Sequence, residues 1–284
     1  MTTHSPQSPD QQAFDTSIPN VARIYDCLLG GKDNYAADRE AAAKLLAAVP
    51  DAAVAARDNR EFLGRAVRFL AGEAGIRQFL DIGTGLPTRG NVHDIAHAAD
   101  PAARVVYIDN DPVVTAHANA LLVDAPALAD APAVAAVNAD LRCPRDLLTS
   151  PAVRALIDFN EPVAVLLVAV LHFVDDSEDP QAVVECIKEH IAPGSYLVIS
   201  HVTDDELSHD ARHHARQAYE GASAPGVARC WEAIARFFDG MVMVGPGLVN
   251  AAAWYPNHVV HTPRRALFYA GVGRRDWSHS GGLL

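Results

Sequence analysis

Three aspartates close three successive strand-like runs. Asp81 ends Gln78–Ile82, Asp109 follows Arg104–Ile108, and Asp140 follows Ala133–Asn138. At neutral pH a carboxylate only accepts hydrogen bonds, so each of these sites asks for a ligand that brings hydrogens. An acid after the second strand can accept from a ribose diol. An acid after the third lies where an adenine amino group could reach, and Asp81, beside a glycine loop, could face a cationic amino group. That loop runs Gly83-Thr84-Gly85-Leu86-Pro87-Thr88. Its glycines tolerate positive φ and let a ligand approach the backbone closely. No lysine or arginine follows until Arg89 and there is no GK[ST], so a P-loop is excluded. The third glycine of a dinucleotide fingerprint is absent, and Pro87 removes a backbone donor near where a pyrophosphate would sit. These features together suit an adenosyl ligand that carries an amino group and no phosphate.

The elements that must hold these acids alternate strand and helix. Gln78–Ile82 is the first strand, Asn91–Ala99 a helix, Arg104–Ile108 the second strand and Pro112–Leu122 a helix. Ala133–Asn138 is the third strand, and Pro144–Ala155 contains a helix. Val163–Val170 is an apolar run suited to a strand buried on both faces. Pro180–Ile191 is a helix and Tyr196–Ser200 the fifth strand. Such alternation predicts a parallel sheet covered by helices on both sides, with the polar strand ends on one edge. Farther on, Asp204–Glu220 and Val227–Phe237 read as helices, and Met241–Val244 and Ala266–Val272 as a closing antiparallel pair at the sheet's edge. Ahead of the sheet, Asp38–Val49 and Ala52–Ala74 read as helices, as does the stretch from Pro19-Asn20 to Gly30-Gly31. The expected organisation is a disordered start (1–16), a helical lid (17–75), the ligand-binding α/β domain (76–275) and a loose tail (276–284).

The chain has 284 residues and a net charge of −12, which disfavours a nucleic-acid backbone as partner. Its longest apolar run, Val163–Leu171, is too short to span a bilayer, and no basic-then-apolar leader opens the chain. Cys27, Cys143, Cys186 and Cys230 are scattered and form no CxxC pair. The expectation is a cytoplasmic protein with reduced thiols, bound neither to membrane nor to nucleic acid, with self-association left open. His93/His97 and His209/His213 have helical i, i+4 spacing but no evident third ligand. They read as solvated helix faces, and no metal site is expected.

The three acids and the loop Asp81-Ile82-Gly83-Thr84-Gly85 resemble the class I S-adenosylmethionine-dependent methyltransferases. A closer resemblance, over about residues 17–273, is to an actinobacterial branch of that superfamily. It rests on PNVARIYD (19–26), LGGKDNY (29–35), FLDIGTGLPTRGNVH (79–93), Pro246-Gly247-Leu248-Val249 and Trp254-Tyr255-Pro256. The resemblance implies a Rossmann-like α/β sheet, mostly parallel with an antiparallel last strand, behind an N-terminal helical extension. It also implies S-adenosyl-L-methionine as cofactor. By that resemblance Gly83, Thr84 and Gly85 take the methionine part and Asp81 orients it. Asp109 binds the ribose hydroxyls, Asn110 flanks the adenine, and Asp140 and Leu141 edge it. Residues from Ala169 to His172 line the methyl-donor side, and Arg23, Tyr25 and Tyr35 belong to a lid. His172 is the first candidate for a general base and otherwise a pocket wall. His201 is a weaker candidate, and Tyr25 could orient an acceptor or simply pack. Asp109 and Asp140 could instead cap helices. Three functions stay open: methylation of a small-molecule acceptor at oxygen, nitrogen or carbon, a non-catalytic S-adenosylmethionine-binding regulator, and an NAD(P)-dependent oxidoreductase.

Overall fold

The computed structural model describes residues 15–87, 90–122, 127–128, 131–255 and 265–276. The expected disordered start falls almost wholly outside them, as does the tail after Asp276. The chain opens with α1 (Val21–Leu29), α2 (Ala36–Ala48) and α3 (Ala52–Arg68). Asn20 caps α1 by accepting from the N–H groups of Ala22 and Arg23, and Gly30 closes it at φ 81°. The helix expected through Ala74 becomes a π turn over Phe69–Glu73. There Phe69 stacks on Tyr255, with ring centroids 6.1 Å apart.

The strands and later helices follow in order: β1 (Gln78–Ile82), α4 (Val92–Ala99), β2 (Arg104–Asp109), α5 (Pro112–Leu122), a two-residue hairpin of β3 (Ala127–Leu128) and β4 (Ala131–Pro132), and β5 (Val134–Asn138). After these come α6 (Pro144–Thr149), α7 (Pro151–Arg154), β6 (Ala164–Val168), α8 (Pro180–His190), β7 (Tyr196–Val202), α9 (His209–Gln217), α10 (Trp231–Arg236), β8 (Val242–Met243), β9 (Val249–Asn250) and β10 (Phe268–Arg274). Both late helices are shorter than expected. Ser208 caps α9 late by accepting from Ala211 N, and α10 starts only well after Pro225-Gly226, at Trp231.

The main sheet runs β5-β2-β1-β6-β7-β10-β8, with β9 also paired to β10. The five strands from β5 to β7 are parallel. β10 is antiparallel to both β7 and β8, so the closing antiparallel pair lies at the edge as expected. The chain goes outward from β1 through β2 to β5, then returns to place β6 on β1's other side. That reversal is a topological switch point, and it leaves a crevice beyond the carboxyl ends of β1 and β6.

Alternation along β1 sorts its side chains between two cores. Leu80 and Ile82 join the cluster built on α6, α8 and Phe237. Phe79 joins the other, with Phe62, Ala66 and Leu70. Asp81 has Phe79's parity and so points to the α3 side. The expected lid thus splits by packing. Most of α3 belongs to the core of the sheet, whereas Ile24, Leu28, Ala41 and Leu45 of α1 and α2 pack with Ala56 of α3, Ala218 and Leu267 in a separate cluster.

Candidate functional site

The crevice opens into a cavity of about 360 Å³, within the range of small-ligand sites. It brings together Tyr25, Asp81, Gly83, Thr84, Gly85, Asp109, Asn110, Asp140, Leu141 and Ala169. Its floor is the glycine loop. Gly83 and Gly85 have φ of 72° and 64°, a region that residues with a Cβ rarely enter. Gly83 N and Thr84 N both donate to Ile108 O, at 2.8 and 3.2 Å, which folds the loop against the end of β2. A Cβ at Gly83 would lie 2.2 Å from Val170 Cγ2. This glycine therefore makes room for the cavity wall after β6 as well as for the turn.

Each acid is held differently. Asp81 is 5% exposed and accepts from Thr84 Oγ1 at 3.2 Å. Burial pushes its carboxyl up to about 6, against the pull of the Arg60 guanidinium and the Thr84 hydroxyl. Asp109 accepts from Gly85 N and Asp111 N, both at 2.9 Å, so it ties the loop to the turn after β2. Burial raises its carboxyl as well. The helix-capping role falls to Asp111, whose Oδ1 accepts from Val113 N at 2.8 Å. Asp140 accepts from Arg142 N at 2.9 Å and from the Arg142 guanidinium at 2.5 Å. These bonds hold its carboxyl below the usual range.

Three expected site residues are not on the cavity. His172 lies in a 3₁₀ turn, Leu171–Phe173, that folds back over β7. Its ring packs between His201 and Phe268, at 5.6 and 6.0 Å, and only Val170, Phe173 and Val174 from that stretch reach the cavity. Burial also holds the His172 imidazole well below its ordinary range, so it stays neutral. His172 thus lies off the cavity, where its position in sequence had suggested a base or a wall. Arg23 is buried against Asp38, with Nε to Oδ2 at 2.7 Å, and donates to Ile18 O. Tyr35 lies outside the cavity, with the Arg23 guanidinium 5.4 Å from its ring centre. Both serve the α1–α2 junction. His201 is also closed in, between Val202 O at 2.7 Å and Arg229 at 2.8 Å. The His93/His97 face is only partly solvated: His93 bonds the Tyr107 hydroxyl at 2.7 Å and His97 bonds Ala103 O at 2.9 Å.

The cavity has walls that sequence reasoning missed. Asn20 Nδ2 donates to Asp111 Oδ2 at 2.7 Å and pins the start of α1 over the end of β2. Asp26, Asn59, Arg60, Arg142, Phe173 and Ser223 also line it. One signal was available. Asn59 lies among the apolar residues of α3 and is 1% exposed, and a buried polar residue needs a reason. Tyr25 is well defined: its hydroxyl donates to Ala56 O at 3.0 Å and accepts from Asn59 Nδ2 at 2.9 Å.

The strand order, the antiparallel edge and the acids around a glycine loop at the switch point define a class I methyltransferase fold. The chain belongs to the S-adenosyl methyltransferase family, whose model matches residues 7–276. It is 42% identical to a candidate methyltransferase from Thermobifida fusca YX, covering 93% of this chain and 97% of that one, with a TM-score of 0.84. It is 38% identical to a DUF574 family protein from Streptomyces avermitilis MA-4680, covering 92% and 99%, with a TM-score of 0.85. No curated protein matches it. The protein is thus an S-adenosylmethionine-dependent methyltransferase. Its cavity fits that cofactor: five aspartates face two arginines, which suits a ligand bearing ammonium and sulfonium charge and no phosphate. Among the described residues no helix is long and apolar enough to cross a membrane, and no group of three or more histidine, cysteine or acidic side chains could hold a metal.

Proposed function

We propose that this methyltransferase acts in the cytoplasm on a small-molecule acceptor. One observation carries the reading: the N-terminal helix α1 roofs the strand-end cavity. Asn20 is bonded to Asp111, and Ala22 stands over Gly85. A roofed chamber admits a small molecule more readily than a folded macromolecule.

When bound, S-adenosylmethionine supplies a methyl group already activated on a sulfonium sulfur. The protein's part is to align the acceptor and exclude water. In this reading Asp109 takes the ribose hydroxyls and Asn110 flanks the adenine, with Asp140 and Leu141 at its edge. Gly83, Thr84 and Gly85 lie along the methionine part, and Asp81 holds its amino group. Arg60, which lines the same cavity, is the cation for its carboxylate. Ala169 walls the methyl side. Residues 17–75 act as cover, α1 directly and α2 and α3 as its support. The PNVARIYD and LGGKDNY segments mark the branch of the family.

The test is methyl transfer from radiolabelled cofactor to a small-molecule extract, with RNA and protein fractions in parallel. Label in the small-molecule fraction supports the reading. Label confined to macromolecules contradicts it.

A further inference from the structure

α1 turns one face to the cavity: Ala22, Tyr25, Asp26 and Leu29 line it, at i, i+3, i+4 and i+7. Its start is pinned at the end of β2 by the Asn20–Asp111 bond, and Ala22 marks the glycine loop, its Cβ 3.9 Å from where a Gly85 Cβ would be. At about 1.5 Å of rise per residue, Asp26 lies about 6 Å farther along, beyond that loop and away from Asp111.

The loop after α1 is built around the Asp26 carboxylate. Asp33 N and Asn34 Nδ2 both donate to its Oδ2, at 3.0 and 2.8 Å. Gly31 passes so close that a Cβ there would lie 1.8 Å from Asp26 Oδ1. The residue is only 5% exposed and yet lines the cavity. No hydrogen bond from the described residues reaches Oδ1. A clamped, nearly buried carboxylate with one oxygen unpartnered is a poor feature for stability and a good one for binding.

A second acceptor stands beside Tyr25. The Tyr25 hydroxyl gives its proton to Ala56 O, so it takes one from Asn59 Nδ2. That orients the Asn59 amide and leaves its Oδ1 buried with no hydrogen-bond partner among the described residues. Buried acceptors are normally satisfied. Three of the other four cavity carboxylates are better provided for, and the fourth, Asp81, which accepts from Thr84 Oγ1, is the one assigned above to the cofactor's amino group. Asp109 and Asp111 have backbone and Asn20 donors, and Asp140 has Arg142.

We propose that Asp26 forms the methyl-acceptor subsite, with the unsatisfied Asn59 Oδ1 dipole sealed in the wall behind it, and that the acceptor is an amine, which brings its N–H groups to the Asp26 carboxylate. This rests on the small-molecule reading above and narrows it to nitrogen. The Asp26 charge attracts an ammonium head and repels a carboxylate one; for transfer the carboxylate would take one ammonium proton, so that the nitrogen lone pair can bond the methyl carbon as the sulfur–methyl bond breaks and S-adenosylhomocysteine leaves. Leu29 and Leu63 in the same wall suit an apolar remainder.

The experiment uses the full chain loaded with S-adenosylhomocysteine. Calorimetry first measures that loading in the wild type, Asp26→Asn and Gly31→Ala. Ligand-observed NMR then titrates primary amines, from methylamine to benzylamine, against the alcohols and carboxylates of the same skeletons. The amines are expected to bind the wild type best. They should bind about ten-fold or more weaker to Asp26→Asn, which loses the charge but keeps the shape. Gly31→Ala should lose them as well, because its methyl displaces the carboxylate, so the result does not hang on one variant folding. S-adenosylhomocysteine loading should be alike in all three proteins.

Four results overturn the assignment: amine affinity equal in all three proteins, carboxylates binding as well as amines, no amine binding to the wild type, or a ten-fold loss of S-adenosylhomocysteine in Asp26→Asn. The last would give Asp26 to the cofactor. A wild type that gives no heat with S-adenosylhomocysteine would instead overturn the methyltransferase reading underneath.

Discussion

Two pairs of neighbouring strand ends carry titratable residues, and they have opposite fates. Asp81 and Asp109, at β1 and β2, open into the cavity. His172, beyond β6, and His201, in β7, are sealed beneath it. The chain's next move makes the difference. After β1 it turns away on Gly83, at φ 72°, which leaves the strand end uncovered. After β6 it folds back as Leu171–Phe173, and Arg229 clamps it there. The guanidinium donates to Leu171 O, Val174 O and Asp176 while meeting His201 Nε2 at 2.8 Å. Burial then acts in opposite electrical senses. It raises the Asp81 carboxyl to about 6 and lowers the His201 imidazole to about 3, so the acid can still change charge near working pH while the histidine stays neutral. A strand end marks a possible site, and the segment that follows it decides whether the site is open.

The largest expected effect tests the sealed side. Arg229→Ala removes the donor from Val174 O and His201 Nε2 in a buried setting. Each orphaned acceptor costs about 1–3 kcal/mol, so chemical denaturation should show a loss of about 3 kcal/mol. A loss under about 1 kcal/mol would mean that the clamp does not hold the fold-back.

The next prediction tests the open side, where burial of an acid costs stability. The folded pKa of Asp81 is about 6, above its unfolded value of 3.8. Its contribution to stability is therefore fully present below about pH 4 and is lost as pH rises through 6. Asp81→Asn should stabilise the cofactor-free protein at pH 7.5 by on the order of 2–3 kcal/mol and by almost nothing at pH 4, while weakening cofactor binding. Equal effects at both pH values would remove the buried charge from the account.

Smaller again is Ala169→Gly. Ala169 has a φ of 56° in the cavity wall, a conformation that strains a residue with a Cβ. Glycine should add up to about 1 kcal/mol of stability in a denaturant titration, and a destabilised variant would refute the strain. Smallest of all, His172→Gln should leave cofactor affinity and turnover unchanged. A large loss of turnover would return His172 to the chemistry.

The parts of the molecule that local pattern controls were legible. Strand–glycine–helix alternation gave the sheet, and acids in equivalent positions gave Asp81, Asp109 and Asp140. Local pattern could not tell which face a residue takes when the chain departs from a strand. That is why His172 read as part of the site. Arg23 and Tyr35 read as lid residues because they sit in a polar, aromatic segment, but Arg23 found a closer partner in Asp38, fifteen positions along. Asn59 and Arg60 reach the cavity only because α3 packs on the face of the sheet that carries Phe79. That contact joins distant parts of the chain and has no local signature beyond one polar residue on an apolar face.

The most direct measurement is a calorimetric titration of S-adenosylmethionine into the wild type and into Asp109→Ala. Asp109 joins the glycine loop to the end of β2 through Gly85 N, so the central claim, that the open strand ends hold the cofactor, converges there. The expected result is saturable binding to the wild type and an affinity lower by about 1.5–3 kcal/mol in the variant, which still unfolds in one cooperative transition. Equal affinity in the two proteins would contradict it.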